Sequence, residues 1–262
     1  MKSNSFKLFL ALVVLFMTMI ACVSPLGGGG SSAATLPPAQ LPSSLATQTP
    51  APASSTGGKY FQEDFNGNLS NWSQFMVSGA QIVKGGTAQL SKSGNMSVSV
   101  KDGYLVFDLE GQYQWAYAIY NPQDYDDVRV EVSEQNRANN QNNVSLICRY
   151  STDQGWYEFN IENNGLYAIY FAQVQKDGTT VIYSKLADGG YSKIKQGKET
   201  NQLGITCVGH TLTLYINGVQ VRQLDDNQYE LQSGKIGVAV DSFSDTPATV
   251  GFDWVKVSQP IQ

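Results

Sequence analysis

Between Tyr104 and Val257 the chain returns repeatedly to one pattern, in which apolar and polar residues alternate over a few positions and a turn signal follows. The pattern occurs at 104–107, 128–132, 144–150, 157–161 and 166–174, and again at 180–183, 203–207, 212–216, 236–240 and 250–257. A period of two sends successive side chains to opposite faces, which suits a strand with one buried face and not a helix. Asn164-Gly165, Val208-Gly209-His210 and Asn217-Gly218 interrupt the pattern as hairpin turns do. So many short antiparallel strands predict an all-β chain, a two-sheet antiparallel jelly-roll sandwich.

The first 58 residues read differently. Lys2 and Lys7 precede an apolar run from Leu8 to Ile20, and Met19-Ile20-Ala21 leads into Cys22. That run is too short to span a bilayer, where roughly 20 residues are needed, but it suits a secretory signal. Alanine before cysteine is similar to the bacterial lipoprotein lipobox, with Met19 where that motif more often has leucine. The resemblance implies residues 1–22 as a signal peptide, lipid on Cys22, and a membrane-anchored place in the bacterial cell envelope, outside the cytoplasm. The alternative is an ordinary secretory signal. Residues 23–58 are rich in Gly, Ser, Thr and Pro, with little to bury, and are expected to form a flexible tether. Residues 59–262 are expected to form one domain.

Within that domain YFQEDFNGNLSNW, SLICRYSTDQGWYEFNI, LTLYINGVQV, SGKIGVAVDSF and VGFDWVKV together resemble a concanavalin A-like lectin/glucanase sandwich. The likeness is closest to the laminin G-like and 3-keto-disaccharide hydrolase-type branches. It implies the jelly-roll fold. The same sandwich serves lectins, enzymes and spacers, so function has to be argued from the site.

Several chemistries are disfavoured. The only histidine, His210, sits in a turn, which argues against Ser-His catalysis. No Cys/His spacing suits zinc. A net charge of -5 without a dense basic patch speaks against nucleic acid. Cys148 and Cys207 both fall on the apolar parity of their strands, and in an oxidising compartment they are expected to pair. Two separate buried thiols are the alternative.

Carboxylate hydrolysis remains open. Glu158-Phe159-Asn160-Ile161-Glu162 is similar to the E-x-D-x-E strand of laminarinase-like glycoside hydrolases, which implies Glu158 as nucleophile and Glu162 as acid/base. Asn160 replaces the assisting aspartate. The two carboxyls start ~13 Å apart at Cα and must converge to ~5 Å for a retaining mechanism.

The same parity gathers a binding face of Arg149, Trp156, Glu158 and Asn160, with Tyr215 joining from a neighbouring strand. An aromatic plate plus planar polar groups is what a sugar needs. A cross-strand Arg149–Glu158 ion pair beneath an exposed tryptophan is the competing reading. Trp115 and Tyr117 are further candidates. The superfamily resemblance also implies a structural calcium near Asp64, Asn66 and Asp253, whose oxygens are the right donor type. The expected function is non-catalytic binding of a polysaccharide or oligosaccharide, or cell-surface interaction. The alternatives are a glycoside hydrolase acting on a β-glucan or disaccharide, and a structural spacer.

Overall fold

The computed structural model describes residues 58–79, 86–91, 95–138 and 141–260. The signal peptide, Cys22 and the tether up to residue 57 lie outside the described residues. None of the described residues is helical. The strands in chain order begin with β1 (Phe61–Glu63), β2 (Trp72–Ser78), β3 (Thr87–Ser91), β4 (Met96–Lys101), β5 (Tyr104–Leu109) and β6 (Gln114–Tyr125). Then come β7 (Val128–Asn136), β8 (Asn142–Ser151), β9 (Gly155–Glu162), β10 (Leu166–Val174) and β11 (Thr180–Gly190). The last are β12 (Thr200–Val208), β13 (Thr211–Ile216), β14 (Val219–Asp225), β15 (Gly234–Ser242) and β16 (Ala248–Ser258).

They form the two antiparallel sheets of a jelly-roll sandwich. The first runs β14-β13-β12-β7-β16-β5-β4, with β1 also paired to β16. The second runs β10-β11-β3-β2-β6-β15-β8-β9 and closes on itself where β9 pairs β10. Closure removes free strand edges from this sheet. It was not evident from the periodicity, because β3 is only five residues long and the fully buried first half of β6 carries no polar alternation.

The hairpin turns fall where the sequence places them. Asn217 and Gly218 both have positive φ, 50° and 81°, the type I′ requirement for the two-residue link from β13 to β14. Gly155 ends the β8–β9 turn with φ 102°, and a Cβ there would lie 2.3 Å from the Ala172 carbonyl oxygen. Only glycine satisfies both the angle and that close approach.

Alternation divides the apolar residues into two sets. One lies between the sheets and includes Phe107, Val130, Leu146, Phe159, Ile205 and Val238. The other lines the inner face of the closed sheet, where large rings such as Trp115 and Trp156 meet small Ala168, Ala172 and Ala239. Cys148 on β8 and Cys207 on β12 are joined in a disulfide, their Cα atoms 6.7 Å apart. The bond therefore ties one sheet to the other through the core. Closing a loop with a sequence separation of 59 stabilises the fold by ~4 kcal/mol on the chain-entropy model. Denaturant unfolding of the Cys148→Ala/Cys207→Ala variant should show a loss of about that size, and titration of the unreduced, unfolded chain should find neither thiol free.

Candidate functional site

The β8–β9 hairpin supplies the centre of the candidate site. On β8, Asn143, Ser145 and Ile147 point into the closed sheet, while Val144, Leu146 and Cys148 point to the sandwich core. On β9, Trp156, Glu158 and Asn160 point inward and Tyr157, Phe159 and Ile161 face the core. Simple alternation would continue with Arg149 on the inner face. Instead the register shifts between Cys148 and Ser151, and Arg149 takes a φ of 55°. A bulge inserts one residue and reverses the parity beyond it.

Arg149 is consequently not a partner of Trp156 and Glu158, as a binding residue or as an ion pair. Its side chain is 2% exposed and turns toward the loops at one end of the sandwich. There it donates to the Asp126 carbonyl (3.1 and 3.0 Å), the Gly209 carbonyl (2.7 Å) and the Leu231 carbonyl (2.5 Å). Asp127 stands 3.6 Å away. Tyr150 resumes the inner face in its place, its ring against Trp156 (5.4 Å) and Phe75 (5.6 Å).

The other expected contact residues on this hairpin are brought together, but in the interior. Trp156, Glu158 and Asn160 are all at most 3% exposed, because β11, β3 and β2 complete the sheet around them. Glu158 Oε2 accepts the Trp156 indole N–H (3.0 Å) and the Tyr117 hydroxyl (2.9 Å), and Oε1 accepts the Ser145 hydroxyl (2.9 Å). Tyr117 also shares a hydrogen bond with Tyr183 at 2.7 Å. The Asn160 amide donates to Asp241 Oδ2 (2.5 Å) and Ser145 Oγ (3.1 Å), and accepts from Asn143 Nδ2 (2.5 Å).

Glu162 stays at the half-buried rim, bonded by Asn164, so it does not converge with Glu158 across a shared opening. The acid that Glu158 does meet electrostatically is Asp241, on β15. Sequence reasoning missed it, although Ile236, Val238 and Val240 on the core parity leave Asp241 on the opposite face. Trp115 lies on the same inner face, packed against Phe243.

Tyr215 belongs to the first sheet, half-buried beneath the Arg129 guanidinium (4.5 Å), and joins none of these residues. Asp64 follows β1 and accepts the Gln62 amide (2.7 Å), and Asp253 is exposed on β16, the strand that pairs β1.

Burial raises the pKa of Glu158, against the pull of its Trp156, Tyr117, Ser145 and Asn160 hydrogen bonds. Desolvation, then Glu158 itself, raises Asp241 well above the usual carboxylate range. Asp241 Oδ1 and the facing Asn143 Oδ1 are buried acceptors without a donor. A proton on Asp241 is what that pair of oxygens lacks. Elsewhere Glu134, buried beside Asn201, is pushed up to about 7 by desolvation. Chemically, the inner network is a pair of buried acids, both raised by desolvation and held by rings and amides.

A carboxyl raised on folding contributes stability that is full below its unfolded pKa and is lost as pH rises through the folded value. Unfolding free energy should therefore fall as pH rises from the unfolded carboxylate range through the raised folded values, that of Glu134, about 7, among them. The Glu158→Gln variant, which keeps the shape and removes the titration, should show a shallower fall. An identical slope in that variant would contradict a neutral Glu158.

Residues 60–258 match the 3-keto-alpha-glucoside-1,2-lyase-like domain. Solved structures that share the fold include the following three. One, from work on prominent members of the human gut microbiota that express endo-acting O-glycanases to initiate mucin breakdown, is 11% identical with a TM-score of 0.52, over 77% of this chain and 99% of that one. A prokaryotic β-1,3-1,4-glucanase (lichenase) from a mouse hindgut metagenome is 13% identical with a TM-score of 0.51, over 77% and 99%. A Bacteroides ovatus GH16 protein in complex with its G4G4G3G product is 12% identical with a TM-score of 0.50, over 76% and 99%. No curated protein matches the chain. With the matched span running from the residue before β1 to the last residue of β16, the chain belongs to the 3-keto-alpha-glucoside-1,2-lyase-like domain family.

Proposed function

We propose that this chain is a membrane-tethered, extracytoplasmic module that binds a polysaccharide or oligosaccharide without cleaving it. The observation that carries the reading is the enclosure of Glu158: its oxygens are all occupied by protein donors, and its partner in the hydrolase-like motif, Glu162, stands apart at the rim. A retaining pair needs two carboxyls ~5 Å apart across one bond, and an inverting pair needs room for a water between them. Neither arrangement is offered by one sealed and one rim carboxyl. A glycan ligand is supported by the sandwich shared with a GH16 protein bound to its glucan product. Lipid on Cys22, with the Gly/Ser/Thr/Pro-rich residues 23–58 as a tether, would hold the domain clear of a membrane surface.

The test sets binding beside turnover. The full chain, incubated with mixed-linkage β-glucan and with neutral disaccharides, is expected to retain glycan on affinity electrophoresis and to release no new reducing ends or altered sugars. Turnover that disappears in Glu158→Gln would overturn the non-catalytic reading. It would favour the second reading, an enzyme on a β-glucan or disaccharide, which the family description and the buried Glu158–Asp241 acids support.

A structural Ca²⁺ belongs to the same proposal. Asp64, Asn66 and Asp253 lie on or next to the paired β1 and β16 and offer hard oxygen donors of the right type. Binding to the native state alone would raise the melting temperature with concentration. EDTA should then lower it and added Ca²⁺ should restore it, and a melting temperature indifferent to both would remove the ion.

A further inference from the structure

We infer that the glycan site of this module is the polar trough along the β8–β9 turn, floored by Tyr150, and that it takes a neutral oligosaccharide. The inference rests on the glycan-binding reading above and gives it a place and a ligand class.

The trough follows from the bulge. With Arg149 drawn into the loops, Tyr150 lies at the mouth of the closed sheet, with rings beneath it and a half-exposed edge. Among the described residues its hydroxyl has no hydrogen-bonding partner. Around it, Asp124, Ser151, Gln154 and Lys235 line a depression of about 260 Å³. Across Thr152, which borders both, a second depression of about 430 Å³ is lined by Asp153, Gln173, Gln175 and Lys176. Two hollows that share Thr152 in their linings give a surface longer than a single sugar ring.

The lining selects the chemistry. Amides and hydroxyls donate and accept together, as sugar hydroxyls do, and the Tyr150 ring offers an apolar plate. Charges are balanced in each hollow: Lys235 pairs with Asp124 at 3.0 Å, and the second hollow holds one acid and one base, Asp153 and Lys176. An anionic glycan or nucleic acid would find no surplus of positive charge here. A peptide would find few apolar side chains to cover.

The segment leading into the Ser233–Lys235 wall is held before any ligand arrives. The Asp226 carboxylate accepts backbone N–H groups of Gln228, Tyr229 and Glu230 and the Tyr157 hydroxyl, while Arg149 fixes the Leu231 carbonyl. A Cβ on Gly234 would lie 2.6 Å from the Arg149 carbonyl carbon, so the start of β15 presses directly on the bulge. Ordering a binding loop in advance removes a cost that the complex would otherwise carry.

The experiment uses the ¹⁵N-labelled full chain in detergent, titrated with cellotetraose, laminaritetraose and, as an anionic counterpart, tetragalacturonate. Amide shifts are expected at 150–154, 173–176 and 233–235 with a neutral tetrasaccharide. Affinity should fall at least tenfold in Tyr150→Ala and about fivefold in Gln154→Ala, a surface change that should leave the melting temperature unmoved. Tyr215→Ala, on the other sheet, should bind as the parent does. Neutral-sugar binding with shifts elsewhere and both trough variants unaffected would overturn the trough and leave the glycan-binding reading standing. Preference for tetragalacturonate in the trough would overturn the ligand class. No binding of any of the three sugars would overturn the inference together with the reading beneath it.

Discussion

The Arg149 guanidinium, held by three backbone carbonyls from three different loops, is the interaction on which one end of this sandwich depends. It joins the β6–β7 connection, the β12–β13 turn and the segment before β15. Carbonyl groups at loop ends are obligatory acceptors, and burying them without donors costs about as much as a lost hydrogen bond. A long cation with five fixed donors meets several of them at once. Charge-assisted bonds are roughly twice as strong as neutral ones, which offsets the desolvation that lowers the Arg149 pKa. Reaching those carbonyls requires the left-handed turn of its backbone, and the same turn delivers Tyr150 to the opposite side. Loop anchoring and the exposed aromatic floor are two results of one bulge.

Closure of the second sheet has a comparable double effect. Pairing β9 with β10 and β11 with β3 leaves no free edge, but it also encloses polar side chains that an open sheet would leave wet. Buried carboxylates are tolerated when they are neutral or fully hydrogen-bonded. Glu158 has donors for both oxygens, whereas Asp241 keeps one oxygen without a donor, and desolvation raises both. The interior therefore holds its two acids unequally, one with donors on both oxygens and one with an oxygen left bare.

Much of the architecture was legible in the sequence, and its limits have physical causes. Alternation identified the recurrent strands, the hairpin turns and the core positions of Cys148 and Cys207, because strands facing the sandwich core keep a period of two between their bulges. Strand β6 escaped since Trp115 through Ile119 are buried on both faces and leave no polar phase to read. Trp156, Glu158 and Asn160 do share a face, as alternation predicts. Arg149 was misassigned because a bulge carries no reliable sequence mark, and every parity argument fails by one residue past it. Whether the shared face was open or enclosed depended on pairings between β3 and β11, residues some ninety positions apart, to which local periodicity is blind.

The position of Tyr150 connects the sealed interior with the outer surface. Its ring packs on Trp156, whose indole N–H holds Glu158. The order from solvent inward is thus a phenol, an indole and a carboxyl. In a hydrolase the carboxyl has to stand first in that sequence, within reach of the bond it attacks. Here the aromatic rings stand first and keep water from the acid behind them. The residues resemble those of a catalytic strand, but their depth from solvent sets what they can do.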